Sequence, residues 1–325
     1  MSDRPSPRQS YHALKDEAPE RAFLDALERG RLHHAWMLTG PEGLGKATFA
    51  YRAARRLLGA APDPRRGLLG SDPEDRVSRL VEQDAHPDFL VLERQVEGGK
   101  TKKSISVEEA RALPEFFSKS PSMARHRVAI VDAADDLNIN SANALLKTLE
   151  EPPERSVLFL VSHSPARLLG TIRSRCRRLT FQPWGEAAVA EWLMTQTGLA
   201  RADAEALAAM SGGSPGRALQ LAEEGALEID ATARALVEGD APDDAEMLRF
   251  ADRLKGAEGQ NRLELLFARL AEAVRRRAAQ GGAPEAWARV WDRLTQIPGE
   301  TAGLNLDRVD VLFSTLAEIR RARAS

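Results

Sequence analysis

Residues 38–50 read LTGPEGLGKATFA, and Gly40, Gly45 and Lys46 fit the pattern G-x-x-x-x-G-K-[ST] up to its last position. An apolar run, AWMLT, precedes the glycines, and a helical pattern follows them. In that setting Gly43 and Gly45 permit tight turns, while backbone N–H groups and the helix N-terminus can surround phosphates. Lys46 could then reach the β- and γ-phosphates of a nucleotide. The stretch therefore predicts a P-loop between a buried strand and a helix.

The last position of that pattern departs from the rule. Ala47 stands where a Ser or Thr would bind Mg²⁺, and Thr48 comes one residue late. A methyl group cannot hold a metal ion. The loop thus keeps the residues that grip phosphate and lacks the one that holds the metal.

An acidic residue, Asp132, directly follows the apolar run VAIV, and Ala133 comes next. In P-loop ATPases an aspartate at such a strand end holds Mg²⁺, and many of them place a glutamate directly after it as the base for water. Asp132 could equally be an ordinary turn residue. Because Ala133 replaces the glutamate and Ala47 the hydroxyl, we expect no efficient ATP hydrolysis by this chain.

Ser162 follows the apolar run VLFLV. A polar group at the carboxyl edge of a central parallel strand faces the ligand crevice, so Ser162 could orient a γ-phosphate or a water molecule. Residues 162–165, SHSP, could equally form an ordinary turn that caps the next helix. Both interpretations stay open at this point.

Four arginines crowd the stretch GTIRSRCRRLTF, namely Arg173, Arg175, Arg177 and Arg178. They could form a solvated basic segment. Alternatively, one of them could point at a phosphate in another subunit, because a guanidinium stays charged and binds phosphate through two N–H groups. Cys176, which lies among them, is expected to be a small packing residue rather than a nucleophile.

Arg217 lies in the first turn of another predicted helix. Ser214 as N-cap and Pro215 at the first helical position mark its start. From there Arg217 could reach the glycine loop and sense a nucleotide, or it could pair with Glu223 or Glu224.

The distribution of apolar residues predicts an α/β fold. Helical patterns separate the apolar runs, as expected for a parallel sheet with right-handed crossovers. After about residue 182 the pattern is helical, with a stripe at Leu263, Leu266, Phe267, Leu270 and Val274. The strand-like runs lie at residues 35–39, 89–92, 128–131, 157–161 and 178–181.

This pattern predicts four parts of the chain. We expect a disordered tail over residues 1–10, a P-loop α/β domain over 11–182, a small helical domain over 183–240 and a helical C-terminal domain over 241–325.

The composition is that of a globular protein. The chain has 325 residues, 43% hydrophobic and 29% charged, which excludes a disordered or fibrous protein. We expect a cytoplasmic protein, because no apolar run approaches the ~18 residues that span a bilayer and the start lacks a secretion signal.

The net charge of the chain is −2, so any contact with nucleic acid would have to come from a local basic patch. One cysteine cannot form an internal disulfide or a multi-cysteine zinc site.

Two segments interrupt the α/β pattern and are expected to be loop-like insertions, residues 61–76 and residues 94–104. The second carries Lys100, Lys102 and Lys103. It is either a solvated loop or a segment that contacts DNA phosphates.

Four motifs together resemble the delta-prime subunit family of the bacterial DNA polymerase III clamp loader, a member of the AAA+ class. The motif ANALLKTLEEPP followed by SRC is the most specific of them, and the resemblance covers roughly residues 15–240. The motifs are HHAWMLTGPEGLGKATFAYRAARRLL, HPDF, ANALLKTLEEPP and TIRSRCRRL.

The resemblance implies a hetero-pentameric ring, with motor subunits of the gamma/tau type and a delta-type subunit, that opens a sliding clamp and places it on primer–template DNA. The complex is part of the DNA-directed DNA polymerase III holoenzyme, a nucleotidyltransferase. Residues 183–240 would be the lid and residues 241–325 the collar that holds the ring together. The trans-acting arginine of the S-R-C motif falls on Arg175, which would complete the ATP site of an adjacent motor subunit.

The sequence departs from the family pattern in the region after the loop. Many relatives carry four zinc-binding cysteines there and this chain has none of them. We therefore expect no zinc and no required cofactor, with packing to stabilise the insertion instead. The surviving pair Gly45 and Lys46 is compatible with weak ATP or ADP binding.

Three hypotheses follow. The leading one is a non-hydrolysing stator subunit that donates Arg175. The alternative is an active AAA+ ATPase motor subunit that uses Thr48 in place of Ala47, although Thr48 cannot replace the base missing at Ala133. A third, a P-loop kinase or unrelated nucleotide-binding switch, explains neither Arg175 nor the long helical C-terminal half.

Overall fold

A computed structural model describes the chain in two compact units, Met1–Gly185 and Glu186–Ser325. None of the helices in the described ranges has the length and the hydropathy needed to cross a bilayer. The described residues are 6–11, 15–97, 100–239, 247, 251–252, 259–281, 283–304 and 307–324.

A five-stranded parallel sheet forms the centre of the first unit, with the strand order β2-β3-β4-β1-β5. All five predicted strands are present. The strands most buried, β1 and β4, lie side by side in the middle of the sheet, as continuous apolar runs predict. The strands are β1 Ala35–Thr39, β2 Phe89–Glu93, β3 Arg127–Asp132, β4 Ser156–Ser162 and β5 Arg177–Thr180.

Helices cover both faces of this sheet. Successive residues of β1 point to opposite faces, so Trp36 packs in one core with Phe23 and Phe49, and Met37 packs in the other with Leu145. The first core is built on α1 and α2 and the second on α4, α5 and α6. The helices are α1 Ala18–Glu28, α2 Lys46–Leu58, α3 Arg76–Glu82, α4 Val107–Ser118, α5 Ile139–Glu150 and α6 Gly170–Ser174.

In the described part of the second unit every element is a helix. The predicted apolar stripe lies on α11 and is buried along its whole length. The α/β sheet followed by a helical C-terminal region confirms the expected α/β fold class. The helices are α7 Glu186–Thr197, α8 Arg201–Met210, α9 Pro215–Glu223, α10 Ala226–Glu238, α11 Gly259–Ala279, α12 Pro284–Leu304 and α13 Arg308–Ala324.

The expected lid–collar boundary near residue 240 lies outside the described residues, so that division stays a prediction. The expected tail differs from the structure where it is described, over residues 6–10. Pro7–Gln9 form a single 3-10 turn, and the Arg55 guanidinium donates to the carbonyl oxygens of Arg8 and Ser10. Arg55 also lies 4.0 Å from the centre of the Tyr11 ring. A buried cation thus holds this segment against α2.

Hydrogen bonds within the insertion at residues 61–76 hold it in a defined conformation. The Asp63 carboxylate accepts from the backbone N–H of Arg65 at 3.1 Å, and the Asp63 N–H donates to the Gly70 carbonyl at 3.0 Å. A Cβ on Gly70 would lie 2.1 Å from the Asp63 carbonyl oxygen, so only glycine fits. Leu69 is buried in the core. Packing and backbone hydrogen bonds therefore hold this segment in place.

The second insertion contains a short hairpin, where the sequence predicted a loop. Val96–Glu97 pair antiparallel with Lys100–Thr101. Lys102 Nζ lies 3.2 Å from the Glu97 carboxylate, and both side chains are exposed. The lysines thus include one that is ion-paired at the surface, and contact with DNA stays a prediction.

Candidate functional site

The glycine loop joins the carboxyl end of β1 to the first turn of α2. Gly40, Gly43 and Gly45 have φ of 138°, 77° and 83°, a range that favours glycine. Gly40 has a further constraint, because a Cβ there would lie 2.4 Å from the carbonyl oxygen of Phe181. The loop therefore has the glycine-dependent backbone that the motif predicts.

The side chain of Lys46 folds onto its own loop. Nζ donates to the Gly40 carbonyl at 2.6 Å and also to the Pro41 carbonyl, and the side chain is buried. Burial lowers the pKa of Lys46 to about 8, against the opposing effect of Glu42 and Asp132. A phosphate entering the loop would have to draw this ammonium away from two carbonyl oxygens.

The two alanines lie in apolar surroundings. Ala47 is partly buried and packs against the core between α2 and the sheet, and Ala133 is buried just beyond β3. Thr48 is partly buried one position further along α2. The helix thus presents a methyl group at the position where a P-loop ATPase presents a hydroxyl.

Asp132 ends β3, two strands away from the loop strand, and faces a cluster of charges. Burial raises its pKa to about 6. Glu93, Asp136 and Glu42 add to that rise, while Lys46 opposes it. The sheet therefore brings this carboxyl into the electrostatic range of the loop lysine.

Ser162 is fully buried at the end of β4, and its hydroxyl donates to Asp135 Oδ1 at 3.0 Å. The backbone N–H groups of His163 and Ser164 donate to the same carboxylate at 2.5 and 3.2 Å. Asp135 therefore clamps the turn after β4. This geometry favours the turn interpretation of residues 162–165, and a role for Ser162 toward phosphate stays a prediction.

Arg175 directly follows α6 and is held by two contacts. Nη1 donates to the Thr171 carbonyl at 3.0 Å, and Nη2 lies 2.9 Å from Glu150 Oε1 at the end of α5. About a third of the Arg175 side chain, 36%, remains exposed. Cys176, the next residue, packs against the core, and burial raises its pKa to about 12, so it is a thiol at neutral pH.

The other arginines of this stretch have different surroundings. Arg173 and Arg178 are exposed, and the Arg177 guanidinium lies 4.9 Å from the centre of the Trp36 ring. Arg177 therefore covers an aromatic side chain of the core, whereas Arg175 is paired with a carboxylate.

Arg217 belongs to the second unit. Its N–H donates to the Ser214 hydroxyl oxygen at 3.1 Å, which confirms the predicted helix start, and Nη1 lies 3.7 Å from the Glu224 carboxylate. The contact favours pairing with an acid, and nucleotide sensing by Arg217 stays a prediction.

Most of the predicted nucleotide-site residues meet at one edge of the sheet, because adjacent parallel strands end there. The sequence interpretation did not identify two residues that hold the site, Asp135 and Glu150. Asp135 lies just past a strand end, which is a position that could have been recognised from sequence, whereas nothing in the spacing connects Glu150 with Arg175.

Within the described residues, no group of three or more His, Cys, Asp or Glu is arranged to hold a metal ion.

Comparisons with known proteins identify the family. A family model described as DNA polymerase III, delta subunit, matches residues 15–185. DNA polymerase III subunit delta' of Pseudomonas aeruginosa is 38% identical over 201 residues, 62% of this chain and 59% of that protein. The subunit of the same name from Yersinia pestis is 31% identical over 262 residues, 79% of this chain and 75% of that protein. The chain thus spans less than two thirds of the Pseudomonas protein.

A DNA polymerase III gamma subunit-related protein of Thermotoga maritima has a solved structure of limited similarity. The TM-score is 0.47 at 17% identity, over 92% of this chain and 99% of that one, and supports no conclusion about function. The family model alone matches more than half of the chain. The chain therefore belongs to the DNA polymerase III delta-subunit family, among its delta-prime members.

Proposed function

We propose that this chain is a non-hydrolysing, stator subunit of a bacterial clamp loader that works in the cytoplasm during DNA replication. It assembles with gamma/tau-type motor subunits and a delta-type subunit in a hetero-pentameric ring. The ring loads the sliding clamp onto primer–template DNA as part of the DNA polymerase III holoenzyme. In this ring Arg175 completes the ATP site of a neighbouring motor subunit.

The alanines at positions 47 and 133 carry the stator assignment. Ala47 packs against the core where a hydroxyl would hold Mg²⁺, and Ala133 is buried where a base would activate water. Phosphoryl transfer depends on the positioning of the nucleophile and on neutralisation of the developing charge. With neither group in place, the loop can bind phosphate at most weakly and supplies no route to hydrolysis.

The setting of Arg175 supports the second half of the proposal. The guanidinium is partly exposed, and its planar shape suits the oxygens of a phosphate. Nη1 donates one hydrogen bond, to Thr171, and Nη2 is ion-paired with Glu150. A guanidinium has five N–H groups, so donors are left for the oxygens of a phosphate.

The first test measures ATP binding and hydrolysis by the purified chain, with and without Mg²⁺. The stator predicts no hydrolysis and weak or no binding. Magnesium-dependent turnover that is abolished by Lys46→Ala would replace the stator with the alternative, an active AAA+ motor subunit.

The second test is Arg175→Ala in the reconstituted ring, with Arg173→Ala, in the short helix that Arg175 follows, as the matched control. Arginines that act in trans contribute roughly 10³-fold or more to phosphoryl transfer. We therefore expect Arg175→Ala to remove the hydrolysis at one motor site while the subunit stays folded, and Arg173→Ala to leave the rate unchanged. An unchanged rate with Arg175→Ala would refute the trans role.

A further inference from the structure

We propose that Glu150 is a positioning residue that holds the Arg175 side chain in the orientation required at the neighbouring ATP site. The inference rests on the proposed trans role of Arg175. It starts from the ion pair between Glu150 Oε1 and Arg175 Nη2, 2.9 Å long, which links the end of α5 to the end of α6.

The backbone on both sides of this pair is fixed by the core. Leu149, the neighbour of Glu150, and Ile172 in α6 are buried in the same apolar cluster. Cys176 packs against that cluster directly after Arg175. What remains free to move is the long arginine side chain, which would otherwise sample many rotamers at the surface.

Two acceptors restrict that side chain from different directions. The Thr171 carbonyl accepts from Nη1 at 3.0 Å, and the Glu150 carboxylate binds Nη2. One acceptor lies within α6 and the other lies on α5. Two contacts at different nitrogens fix the plane of the guanidinium, which a single contact would leave free to rotate.

The position of Glu150 in its helix is unfavourable without such a partner. It is the last residue of α5, where the unsatisfied carbonyl groups carry partial negative charge. A carboxylate there is repelled by the helix end, and the Arg175 cation offsets that repulsion. The pair therefore explains an acid at a position where a lysine or arginine would suit the helix better.

The attraction between Glu150 and Arg175 is also weak enough to leave Arg175 accessible to a phosphate. Glu150 is 48% and Arg175 36% exposed, so water screens their attraction. A phosphate can therefore engage the remaining N–H groups of Arg175 without first breaking a strong buried ion pair. Glu150 can in this way orient Arg175 and still leave it able to bind a phosphate.

The experiment compares Glu150→Ala, Arg175→Ala and the double variant, each assembled into the full ring, by steady-state ATP hydrolysis. The Arg175-dependent rate is the difference between wild type and Arg175→Ala. A catalytic group displaced by about 1 Å can lose up to about 10²-fold, so we expect Glu150→Ala to keep about a tenth of that rate. The double variant should be no slower than Arg175→Ala, because Glu150 acts only through Arg175.

Two further variants separate positioning from a general structural effect. Glu150→Gln keeps the length of the side chain and an acceptor oxygen for Nη2, and it should retain more of the Arg175-dependent rate than Glu150→Ala. Glu151→Ala, a change of the adjacent exposed acid, should match wild type. All of these chains should stay folded at the assay temperature and assemble into the ring as wild type does.

The inference is overturned if Glu150→Ala hydrolyses ATP as fast as wild type or faster, or if the double variant is clearly slower than Arg175→Ala. A faster Glu150→Ala ring would mean that the acid withholds the arginine. If Arg175→Ala itself retains the full rate, the proposed function fails instead, so the two failures are distinguishable.

Discussion

The ammonium of Lys46 lies 2.6 Å from the carbonyl oxygen of Gly40, the first glycine of the loop in which phosphates would bind. The lysine that should meet a nucleotide is thus engaged by the loop itself. Burial lowers the pKa of this lysine to about 8, which weakens its hold on a proton near neutral pH. The hydrogen bonds from Lys46 to the Gly40 and Pro41 carbonyls favour a loop that keeps its shape without a nucleotide.

Lys46→Ala should therefore change ATP hydrolysis by the assembled ring very little. The reason is that the loop has no metal-binding hydroxyl, so its lysine takes part in no hydrolysis. The measurement is ring ATPase activity, with Arg175→Ala as the reference for a large effect. A loss from Lys46→Ala as large as that reference would show that nucleotide bound at this loop matters to the ring.

Ala47→Thr should restore the hydroxyl that the loop lacks. We expect magnesium to strengthen ATP binding by this variant, because Mg²⁺ then gains a ligand beside the phosphates. Hydrolysis should stay at background, since Ala133 still supplies no base. Binding is measured by calorimetry with and without Mg²⁺, and Thr48→Ala is the control that should change nothing. Magnesium-dependent turnover by Ala47→Thr would contradict the assigned need for a base.

The sheet could be predicted from the sequence because each strand is a local signal. The run VLFLV needs no partner to be recognised, and it lies within β4. The hairpin was missed because its strands are short and polar, although the dipeptide Gly-Gly between them is a hairpin signal.

The contacts of the site depend on residues brought together from different elements. Asp135 meets Ser162 only because β3 and β4 are neighbours in the sheet, and Glu150 meets Arg175 only because α5 and α6 share a core. Hydrophobic periodicity identifies the elements but not these side-chain pairs. The candidate residues could be named from sequence, whereas their partners required the fold.

Asp132→Asn should stabilise the chain in a pH-dependent way. Burial raises the pKa of Asp132 to about 6, above the unfolded value of about 3.9. The folded state therefore binds a proton more tightly than the unfolded chain, and ionisation of Asp132 costs stability that grows from about pH 4 to about pH 6. The variant should gain up to about 3 kcal/mol above pH 6 and nothing below about pH 4.

Urea unfolding at several pH values measures this difference. Asp136→Asn is the control, because Asp136 forms a partly exposed ion pair with Arg94 at 3.0 Å. A gain from Asp132→Asn that is the same at every pH would contradict the assignment of the effect to ionisation.

Glu20→Ala should strongly destabilise the chain. The Glu20 carboxylate lies 2.7 Å from Arg52 Nε, and both side chains are 1% exposed. Removing one partner of a buried pair leaves an uncompensated charge, which typically costs about 3–5 kcal/mol. Arg21→Ala is the matched control on the same helix, since it breaks the exposed pair with Glu17 and should cost less than about 1 kcal/mol. Chemical denaturation compares the two free energies of unfolding, and equal losses would show that burial does not set the strength of the Glu20 pair.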